Sequence, residues 1–254
     1  MSDMTGKVIA ITGGAGGIGE ATARLAHSRG ASVVLCDRNA IKLDTIVRSL
    51  GDRAVAVVMD VTQRSDNEKM VAAALESFGH LDCVFLNAGI EGEVGPFDSR
   101  TDRAWETVFA VNVHGVRFGV EAALPELRKA GGASIVMTSS IAGIRGAAGL
   151  SPYVSSKHAV VGMMRCLAAE LGPEGIRVNT INPGPVDNRM MRSIEEQANP
   201  GHGGDVKKIF TSRMPLGRYV VNEECAAMAL FLLSDESSGC TGNTYLVDAG
   251  YCAQ

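Results

Sequence analysis

Short apolar segments alternate with segments of helical pattern along the whole chain, and this alternation constrains the fold more than any other feature. The expected strands are Val8–Thr12, Ser32–Cys36, Ala54–Met59, Cys83–Leu86, Ser134–Thr138, Arg177–Ile181 and Thr244–Val247. The expected helices are Ile18–Ser28, Ile41–Leu50, Asp66–Phe78, Asp102–Arg128, Pro152–Leu171 and Asn222–Leu233. Strand, helix and strand repeated in this way predict a doubly wound α/β fold, with a seven-stranded, mostly parallel sheet and helices on both faces.

Length and composition are consistent with one domain over residues 1–254. A chain of 254 residues fits one large α/β domain or two small ones, and no repeat, low-complexity linker or change of composition divides this one. Hydrophobic residues make up 46% and aromatic residues only 5%. The core is therefore expected to consist of aliphatic side chains, as in buried parallel sheets.

Charge, cysteine and hydropathy patterns exclude several classes of function. A net charge of −4 gives no basic surface for nucleic acid. No apolar run approaches the ~20 residues that span a bilayer, and the start of the chain lacks the pattern of a signal peptide. The six cysteines are scattered without a C-x-x-C pair, and the five histidines belong to no metal-binding motif. We expect a cytoplasmic protein with reduced thiols, no metal site and no membrane partner.

Residues 188–219, here called the lid segment, fit no regular element. Asn199–Gly204 and Pro215 interrupt the segment, so the sequence predicts an irregular, mobile stretch. Loops of this length are frequently functional, and we expect this one to close over bound ligands. A tolerated surface insertion is the alternative interpretation.

A glycine-rich turn follows the first strand. Glycines permit a tight turn, close approach of the backbone to a pyrophosphate and close packing of the next helix on the strand, and the helix N-terminus attracts phosphate. The turn therefore predicts a dinucleotide site formed by Gly13, Gly16, Gly17, Ile18 and Gly19. A merely tight turn is the alternative.

Asp37 stands at the carboxyl end of the second expected strand, directly after Cys36 and eighteen residues after Gly19. A carboxylate at this place hydrogen-bonds the adenosine ribose hydroxyls and repels a 2′-phosphate, so it favours NAD over NADP. Arg38 points the other way, because a guanidinium attracts that phosphate. We expect the carboxylate to dominate and NAD(H) to be the cofactor.

Further motifs follow successive strands, and Asn112 and the Tyr-Lys pair lie within the predicted helices. They are Asp60-Val61, Asn87-Ala88-Gly89, Asn112, Ser139-Ser140, Tyr153-x-x-x-Lys157 and Pro183-Gly184. Together with the glycine-rich turn, and in this order, they resemble the short-chain dehydrogenase/reductase family over nearly the full length. The resemblance implies one Rossmann-type domain, with a nucleotide-binding half over about residues 1–110 and a catalytic half over about residues 111–254.

The spacing and chemistry of Tyr153 and Lys157 indicate a proton-transfer site independently of the family resemblance. They are one helical turn apart and can face the same crevice. A phenol with a pKa of ~10 is a poor acid or base near neutrality. A neighbouring ammonium and an oxidised nicotinamide both favour the phenolate, so we expect them to lower the pKa of Tyr153. Ser140 is placed to hold the substrate oxygen against Tyr153.

The resemblance implies roles for the remaining residues. Lys157 binds the nicotinamide ribose and also lowers the pKa of Tyr153. Asn112 binds a water molecule that links Lys157 to solvent. Thirteen residues separate Ser140 from Tyr153, the family's usual spacing, so Ser140 is preferred over Ser139. The other implied cofactor contacts are Asp60, Val61, Asn87, Ala88, Gly89, Pro183, Gly184 and Val186, and the implied substrate contacts are Ser140, Ala142, Tyr153 and Pro185.

Two positions depart from the family pattern. Leu86 replaces the first Asn of the usual Asn-Asn-Ala-Gly, which concerns local structure more than chemistry. Asn188 stands where a Thr usually contacts the nicotinamide carboxamide. Since Asn both donates and accepts hydrogen bonds, it can make the same contact.

The pocket walls are expected at residues 90–97, 141–150 and 185–186 and in the lid segment. The middle wall is mostly apolar, with Arg145 as its only charge, which predicts a small or medium, largely uncharged secondary alcohol or ketone. Helices Pro152–Leu171 and Asn222–Leu233 are more apolar than covering a sheet requires, and this surplus suggests a subunit contact. The resemblance implies a homo-oligomer, with a tetramer favoured over a dimer.

Two alternatives remain at this point. An NADP(H)-dependent carbonyl or 3-oxoacyl-carrier reductase would use the same chemical core, with Arg38 holding the 2′-phosphate. A nucleotide-sensing protein without turnover would keep the fold and lack the chemistry, but the intact set of Ser140, Tyr153 and Lys157 argues against it.

Overall fold

The computed structural model describes residues 3–253, and the expected parallel sheet is confirmed. Seven strands pair in the order β3-β2-β1-β4-β5-β6-β7, and each neighbouring pair is parallel. The strands are β1 (Val8–Thr12), β2 (Ser32–Asp37), β3 (Ala54–Val58), β4 (Cys83–Leu86), β5 (Ser134–Thr138), β6 (Arg177–Pro183) and β7 (Thr244–Val247). The strand order reverses between β1 and β4, which opens a crevice at their carboxyl ends.

Helices cover both faces of the sheet. They are α1 (Gly17–Ser28), α2 (Ala40–Leu50), α3 (Arg64–Phe78), α4 (Asp102–Phe109), α5 (Gly115–Leu127), α6 (Ser151–Leu171), α7 (Arg189–Ala198), α8 (Gly203–Ser212) and α9 (Asn222–Leu233). Side chains alternate along each strand, so β1 places Val8 and Ala10 in the core under α3, α5 and α6. Ile9 and Ile11 enter the opposite core under α1, α2 and α9. Within residues 3–253, none of the helices has the length and hydropathy to cross a membrane.

The prediction of one continuous helix over Asp102–Arg128 is wrong, because the helix is interrupted in the middle. A π-helical turn at Ala110–His114 separates α4 from α5. Such a turn inserts one extra residue into the helix, and this insertion is too small to be detected from the spacing of apolar residues. Its consequence is local and specific, because it places the fully buried Asn112 beside the loop that follows β4.

The prediction of an irregular lid segment is also wrong, because the segment contains α7 and α8. The side chain of Asn188 caps α7 by accepting a hydrogen bond from the Met191 N–H at 3.2 Å. The two helices share a small core of their own, separate from the two cores of the sheet. Its buried members are Met191, Met214 and Tyr219. Pro200 and Gly201 form the turn between the two helices, Gly203 and Gly204 begin α8, and Pro215 follows α8.

Candidate active site

A cavity of about 890 Å³ lies at the carboxyl ends of the strands and extends from the glycine-rich turn to α7 and α8. It brings together nearly every residue that the sequence predicts for the site. These are Gly13, Gly16, Gly17, Ile18, Asp37, Arg38, Asp60, Val61, Asn87, Ala88, Gly89, Ser140, Ala142, Tyr153, Lys157, Pro183, Gly184, Pro185 and Val186. Gly19 and Asn112 are predicted site residues that do not line it.

The glycine-rich turn has the geometry that a dinucleotide requires. Gly13 adopts a left-handed conformation with φ of 66°, which favours glycine. A Cβ on Gly19 would lie 2.1 Å from the Gly13 carbonyl oxygen, so Gly19 allows α1 to start against the turn rather than lining the cavity. The N-terminus of α1 opens toward the cavity at Gly17 and Ile18. These features fit a bound pyrophosphate.

Asp37 and Arg38 lie at the end of β2 in different environments. The Asp37 carboxylate accepts hydrogen bonds from the N–H of Ala15 at 3.1 Å and of Asn39 at 3.0 Å. It is therefore fixed against the glycine-rich turn. The Arg38 side chain is 78% exposed and lies 3.8 Å from the Asp60 carboxylate. The guanidinium is thus attracted toward Asp60, a second acid beside the cavity.

Lys157 and Tyr153 are placed side by side by α6, as the spacing predicts. The Lys157 side chain is buried, and its Nζ donates to the Thr138 carbonyl oxygen at 2.8 Å. The same nitrogen lies 5.6 Å from the centre of the Tyr153 ring. Burial lowers the pKa of Lys157 to about 8. An ammonium that titrates in this range is easily converted between its charged and neutral forms near neutral pH.

In the chain alone, burial has the largest influence on the pKa of Tyr153. It raises this pKa to about 12, hydrogen bonding to the Ser140 hydroxyl opposes the rise, and the negative charge of Glu91 adds to it. In the chain alone the pKa of Tyr153 is therefore raised, because desolvation of the phenolate outweighs the neighbouring groups, and the expected lowering requires the oxidised nicotinamide as well. Additional positive charge at the site is needed to bring the pKa of Tyr153 toward neutrality.

The two adjacent serines have separate tasks. The Ser139 hydroxyl donates to the Lys157 carbonyl oxygen at 3.0 Å, which fastens α6 to the end of β5. The Ser140 hydroxyl lines the cavity, accepts from the Ala142 N–H at 3.1 Å and interacts with Tyr153. The preference for Ser140 over Ser139 thus agrees with the geometry.

Asn112 binds backbone rather than lining the cavity. Its Oδ1 accepts from the Ile90 N–H at 2.9 Å, and its Nδ2 donates to the Ile90 carbonyl oxygen at 2.9 Å and to the Ser156 hydroxyl at 3.0 Å. These bonds tie the loop after β4 to α6. Gly89 lies between them, since a Cβ there would be 3.3 Å from both Asn112 Oδ1 and Lys157 Nζ.

The substrate end of the cavity is mostly apolar. Val94, Leu150, Met190, Met191 and Ile194 form much of its wall. Tyr251, near the end of the chain, also lines it, and sequence reasoning missed this residue. The Asp248 carboxylate holds the Tyr251 turn by accepting from the N–H groups of Gly250 and Cys252. An Asp followed by Ala-Gly was the available signal for such a turn.

Comparisons with known proteins agree with this geometry. A family model described as enoyl-(acyl carrier protein) reductase matches residues 13–252. Cyclohexanol dehydrogenase of Acinetobacter sp. (strain SE19) is 36% identical over 98% of this chain and 96% of its own. Levodione reductase of Leifsonia aquatica is 36% identical over 98% of this chain and 95% of its own. The chain belongs to the short-chain dehydrogenase/reductase family.

Further comparisons extend this assignment. A 3-oxoacyl-[acyl-carrier-protein] reductase of Thermotoga maritima (strain ATCC 43589 / DSM 3109 / JCM 10099 / NBRC 100826 / MSB8) is 35% identical over 97% of this chain and 98% of its own. The crystal structure of levodione reductase superposes with a TM-score of 0.95 at 35% identity, covering 98% of both chains. This short-chain dehydrogenase/reductase is therefore an oxidoreductase with the Rossmann-like fold that the sequence predicts.

Asn188 is the departure from the family pattern that changes most in the structure. It lines the cavity, but both ends of its side chain amide are engaged. Oδ1 accepts from the Met191 N–H, and Nδ2 donates to Asn222 Oδ1 at 3.4 Å. In this short-chain dehydrogenase/reductase the position joins α7 to the start of α9, a task that the sequence alone did not reveal.

Proposed function

We propose that this short-chain dehydrogenase/reductase transfers a hydride between NAD(H) and a small to medium, largely uncharged secondary alcohol or ketone. The observation that carries the proposal is the group of Ser140, Tyr153 and Lys157 at the base of a mostly apolar pocket. Three arginines line the cavity near α7 and α8. Arg145 lies over the Tyr251 ring at 5.0 Å and Arg189 pairs with Glu91 at 3.5 Å, so these two guanidinium groups are already engaged, and Arg213 is the third. Relatives named for cyclohexanol and levodione support a cyclic substrate of this kind.

Asp37 supports NAD(H) over NADP(H). Its carboxylate is fixed at the glycine-rich turn, where it would accept hydrogen bonds from the adenosine ribose and repel a 2′-phosphate. Arg38 is largely exposed and its 3.8 Å pair with Asp60 is weak, so the fixed carboxylate of Asp37 carries the preference. The other cofactor contacts would come from the glycine-rich turn, from Asp60 and Val61, from Asn87 to Gly89, and from residues 183–186.

The reacting groups have distinct tasks in the proposed mechanism. The nicotinamide ring supplies or accepts the hydride when the cofactor is bound. During reduction the Tyr153 hydroxyl donates its proton to the substrate oxygen, and during oxidation the phenolate takes that proton back. Ser140 hydrogen-bonds the same oxygen and holds it against Tyr153. Lys157 holds the cofactor ribose and stabilises the phenolate, while Ala142 and Pro185 contact the rest of the substrate.

Asn112 has a positioning role in the proposed mechanism, unlike the reacting groups. We retain it as the residue that organises a proton route behind Lys157. Its bonds to Ile90 and Ser156 fix the loop and helix between which such a route would pass. Asn112 is therefore a positioning residue, and Tyr153 is the group that exchanges the proton.

The assembly and location are further parts of the proposal. We place the protein in the cytoplasm, since its six cysteines are free thiols. We propose a homotetramer of single-domain chains, supported by exposed apolar side chains such as Leu246 and Val221 at the sheet edge and at the start of α9. Sedimentation equilibrium tests the tetramer, and a monomeric result at micromolar concentration would contradict it.

A screen of alcohols and ketones followed by NADH absorbance tests the proposed reaction. Cyclohexanol, cyclic diones and open-chain 3-oxo thioesters separate the substrate classes, and parallel dissociation constants for NADH and NADPH separate the cofactors. Tighter binding of NADPH, with turnover of the thioesters, would replace the proposal by the carrier-linked reductase. Tight NADH binding without turnover of any compound would favour the nucleotide-sensing alternative.

A further inference from the structure

Asn222, the first residue of α9, lies directly against the glycine-rich turn. A Cβ on Gly17 would be 2.5 Å from Asn222 Oδ1 and 2.7 Å from Asn222 Nδ2. The amide of Asn222 therefore occupies the space that any side chain at Gly17 would need. Helices α1 and α9 pack side by side, so their N-termini are adjacent at the phosphate end of the cavity. The Asn222 amide is thus packed closely against the Gly17 backbone.

The same asparagine lies where the lid segment returns to the body of the protein. Val186 and Val220 form a parallel bridge that brings the two ends of the segment together. The Asp187 N–H donates to the Val220 carbonyl oxygen at 2.8 Å, and the Val220 N–H donates to the Pro185 carbonyl oxygen at 3.1 Å. Two residues beyond this bridge, Asn222 reaches back to the start of the segment.

Asn188 completes a connection from the turn to the lid segment. Its Nδ2 donates to Asn222 Oδ1 at 3.4 Å, and its Oδ1 caps α7 through the Met191 N–H at 3.2 Å. The contacts thus run without a gap from Gly17 through Asn222 and Asn188 to the first turn of α7. Met191 and Ile194 of that helix line the substrate end of the cavity.

We propose that Asn222 is a positioning residue that transmits occupancy of the glycine-rich turn to α7 through Asn188. The proposal rests on the proposed function, because it takes the glycine-rich turn to hold a dinucleotide pyrophosphate. Phosphates bound at the N-terminus of α1 restrain the Gly17 backbone and with it the Asn222 amide. The restrained amide fixes the Asn188 side chain, which stabilises the cap of α7. The substrate wall is thereby ordered after the cofactor has bound.

Helix α9 does not depend on the Asn222 side chain for its start. The Val221 N–H donates to the Glu224 carboxylate at 2.9 Å, and Arg218 holds that carboxylate at 2.7 Å. The half-buried Asn222 can therefore be replaced without removing the cap of α9. Its contacts with Gly17 and Asn188 are then the ones that a substitution tests.

Amide hydrogen exchange in residues 189–198, with and without saturating NADH, tests the proposal. In the unchanged protein NADH should slow exchange in α7. Asn222→Leu keeps the approximate size and removes the acceptor, and it should reduce this slowing by about tenfold, within the usual range of coupling between sites. Asn222→Asp retains the acceptor for Asn188 and should preserve the slowing once NADH is raised to saturate the variant, because the added charge beside the turn weakens pyrophosphate binding without removing the contact with Asn188. Asn199→Leu makes the same chemical change at an exposed position at the end of α7 and should behave like the unchanged protein.

Asn188→Ser supplies an independent variant. A serine retains an oxygen that caps α7 but is too short to reach Asn222, so the slowing of exchange in α7 by NADH should again be reduced. The KM for the alcohol should rise in Asn222→Leu and Asn188→Ser while kcat changes little. Exchange in α9 reports whether each variant is folded.

Two results would overturn the inference. One is equal slowing of α7 by NADH in Asn222→Leu and the unchanged protein, which would make the amide a packing group only. The other is loss of slowing in Asn199→Leu to the same extent as in Asn222→Leu. Failure of the unchanged protein to bind NADH would instead contradict the proposed function, and the two failures are therefore distinguishable.

Discussion

The ammonium of Lys157 is held by the sheet rather than by an acidic side chain. Its Nζ donates to the carbonyl oxygen of Thr138, the last residue of β5, at 2.8 Å. The amine is thereby fixed beside Tyr153 while remaining nearly inaccessible to water, with 3% of the residue exposed. A carbonyl oxygen compensates only part of the lost hydration, so the charged form is destabilised. This relationship has measurable consequences for both stability and catalysis.

Lys157→Met should remove a pH dependence of folding stability. The pKa of Lys157 is about 8 in the folded chain and ~10.4 when unfolded. Below pH 8 both states hold the proton and the folded state bears the full cost of burying it. Between pH 8 and ~10.4 only the folded state releases the proton, so its stability rises by up to about 3 kcal/mol. Urea unfolding without nucleotide at pH 7 and pH 10 should show this rise relative to Lys157→Met. Parallel pH profiles for the two proteins would contradict it.

Tyr153→Phe should abolish most turnover and leave cofactor binding nearly unchanged. The substitution keeps the buried ring and removes only the hydroxyl that is proposed to exchange the proton. We expect kcat to fall by at least ~10²–10⁴, the usual contribution of a general acid–base. Steady-state kinetics and an NADH titration measure the two quantities. Lys157→Ala is the comparison variant and should weaken both. Near-normal turnover in Tyr153→Phe would remove the acid–base assignment.

Glu91→Gln should shift the pH profile of alcohol oxidation to lower pH. Glu91 is buried near Tyr153, and its negative charge raises the pKa of the phenol. Removing the charge makes the phenolate easier to form, so the rising limb of kcat/KM moves toward acid. Glu93→Gln removes the same charge from a side chain that is 68% exposed and is the matched control. An unchanged limb in Glu91→Gln would show that Arg189 already neutralises this carboxylate.

The repeated βα pattern was sufficient to predict the sheet and most of the cavity wall. Parallel strands bring their carboxyl ends to one edge, so motifs such as Asp37, Ser140 and Pro183 were placed together without any knowledge of side-chain contacts. The helical spacing of Tyr153 and Lys157 was sufficient for their adjacency. These predictions depended on period and order, which are properties of the chain itself.

The features that the sequence did not reveal depend on contacts between distant segments. The π-helical turn at Asn112 shifts the register by one residue, and the cap of α7 joins Asn188 to Asn222 across the lid segment. The pKa of Tyr153 depends on burial, which no motif encodes. Pro and Gly in residues 199–204 suggested disorder, although Pro200 and Gly201 form a short turn and Gly203 and Gly204 begin α8. Tertiary contacts decided each of these cases.

Asp37→Ala should weaken NADH binding and reduce discrimination against NADPH. The carboxylate is fixed by the N–H groups of Ala15 and Asn39, so it is preorganised for the ribose hydroxyls. A hydrogen bond to a charged group contributes ~1.5–3 kcal/mol, or roughly ten- to a hundredfold in affinity. Fluorescence titrations with NADH and NADPH measure the ratio. Arg38→Ala is the companion variant and should leave the preference for NADH intact. Unchanged selectivity in Asp37→Ala would reduce Asp37 to a turn residue.

Gln197→Leu should weaken substrate binding much more than cofactor binding. The Gln197 side chain fastens the last turn of α7 to the loop after β4, since it accepts from the Val94 N–H at 3.0 Å and donates to the Gly92 carbonyl oxygen at 3.3 Å. Losing both bonds should cost about 1–2 kcal/mol and raise KM for the alcohol roughly five- to thirtyfold. Gln197→Glu keeps the acceptor for Val94 and loses the donor to Gly92, so its KM should be intermediate. The NADH dissociation constant should change far less than the KM in the two variants, because Gln197 lies at the end of α7 away from the glycine-rich turn and from the cap at Asn188. An unchanged KM in Gln197→Leu would show that the small core around Met191 and Tyr219 holds α7 in place without this contact.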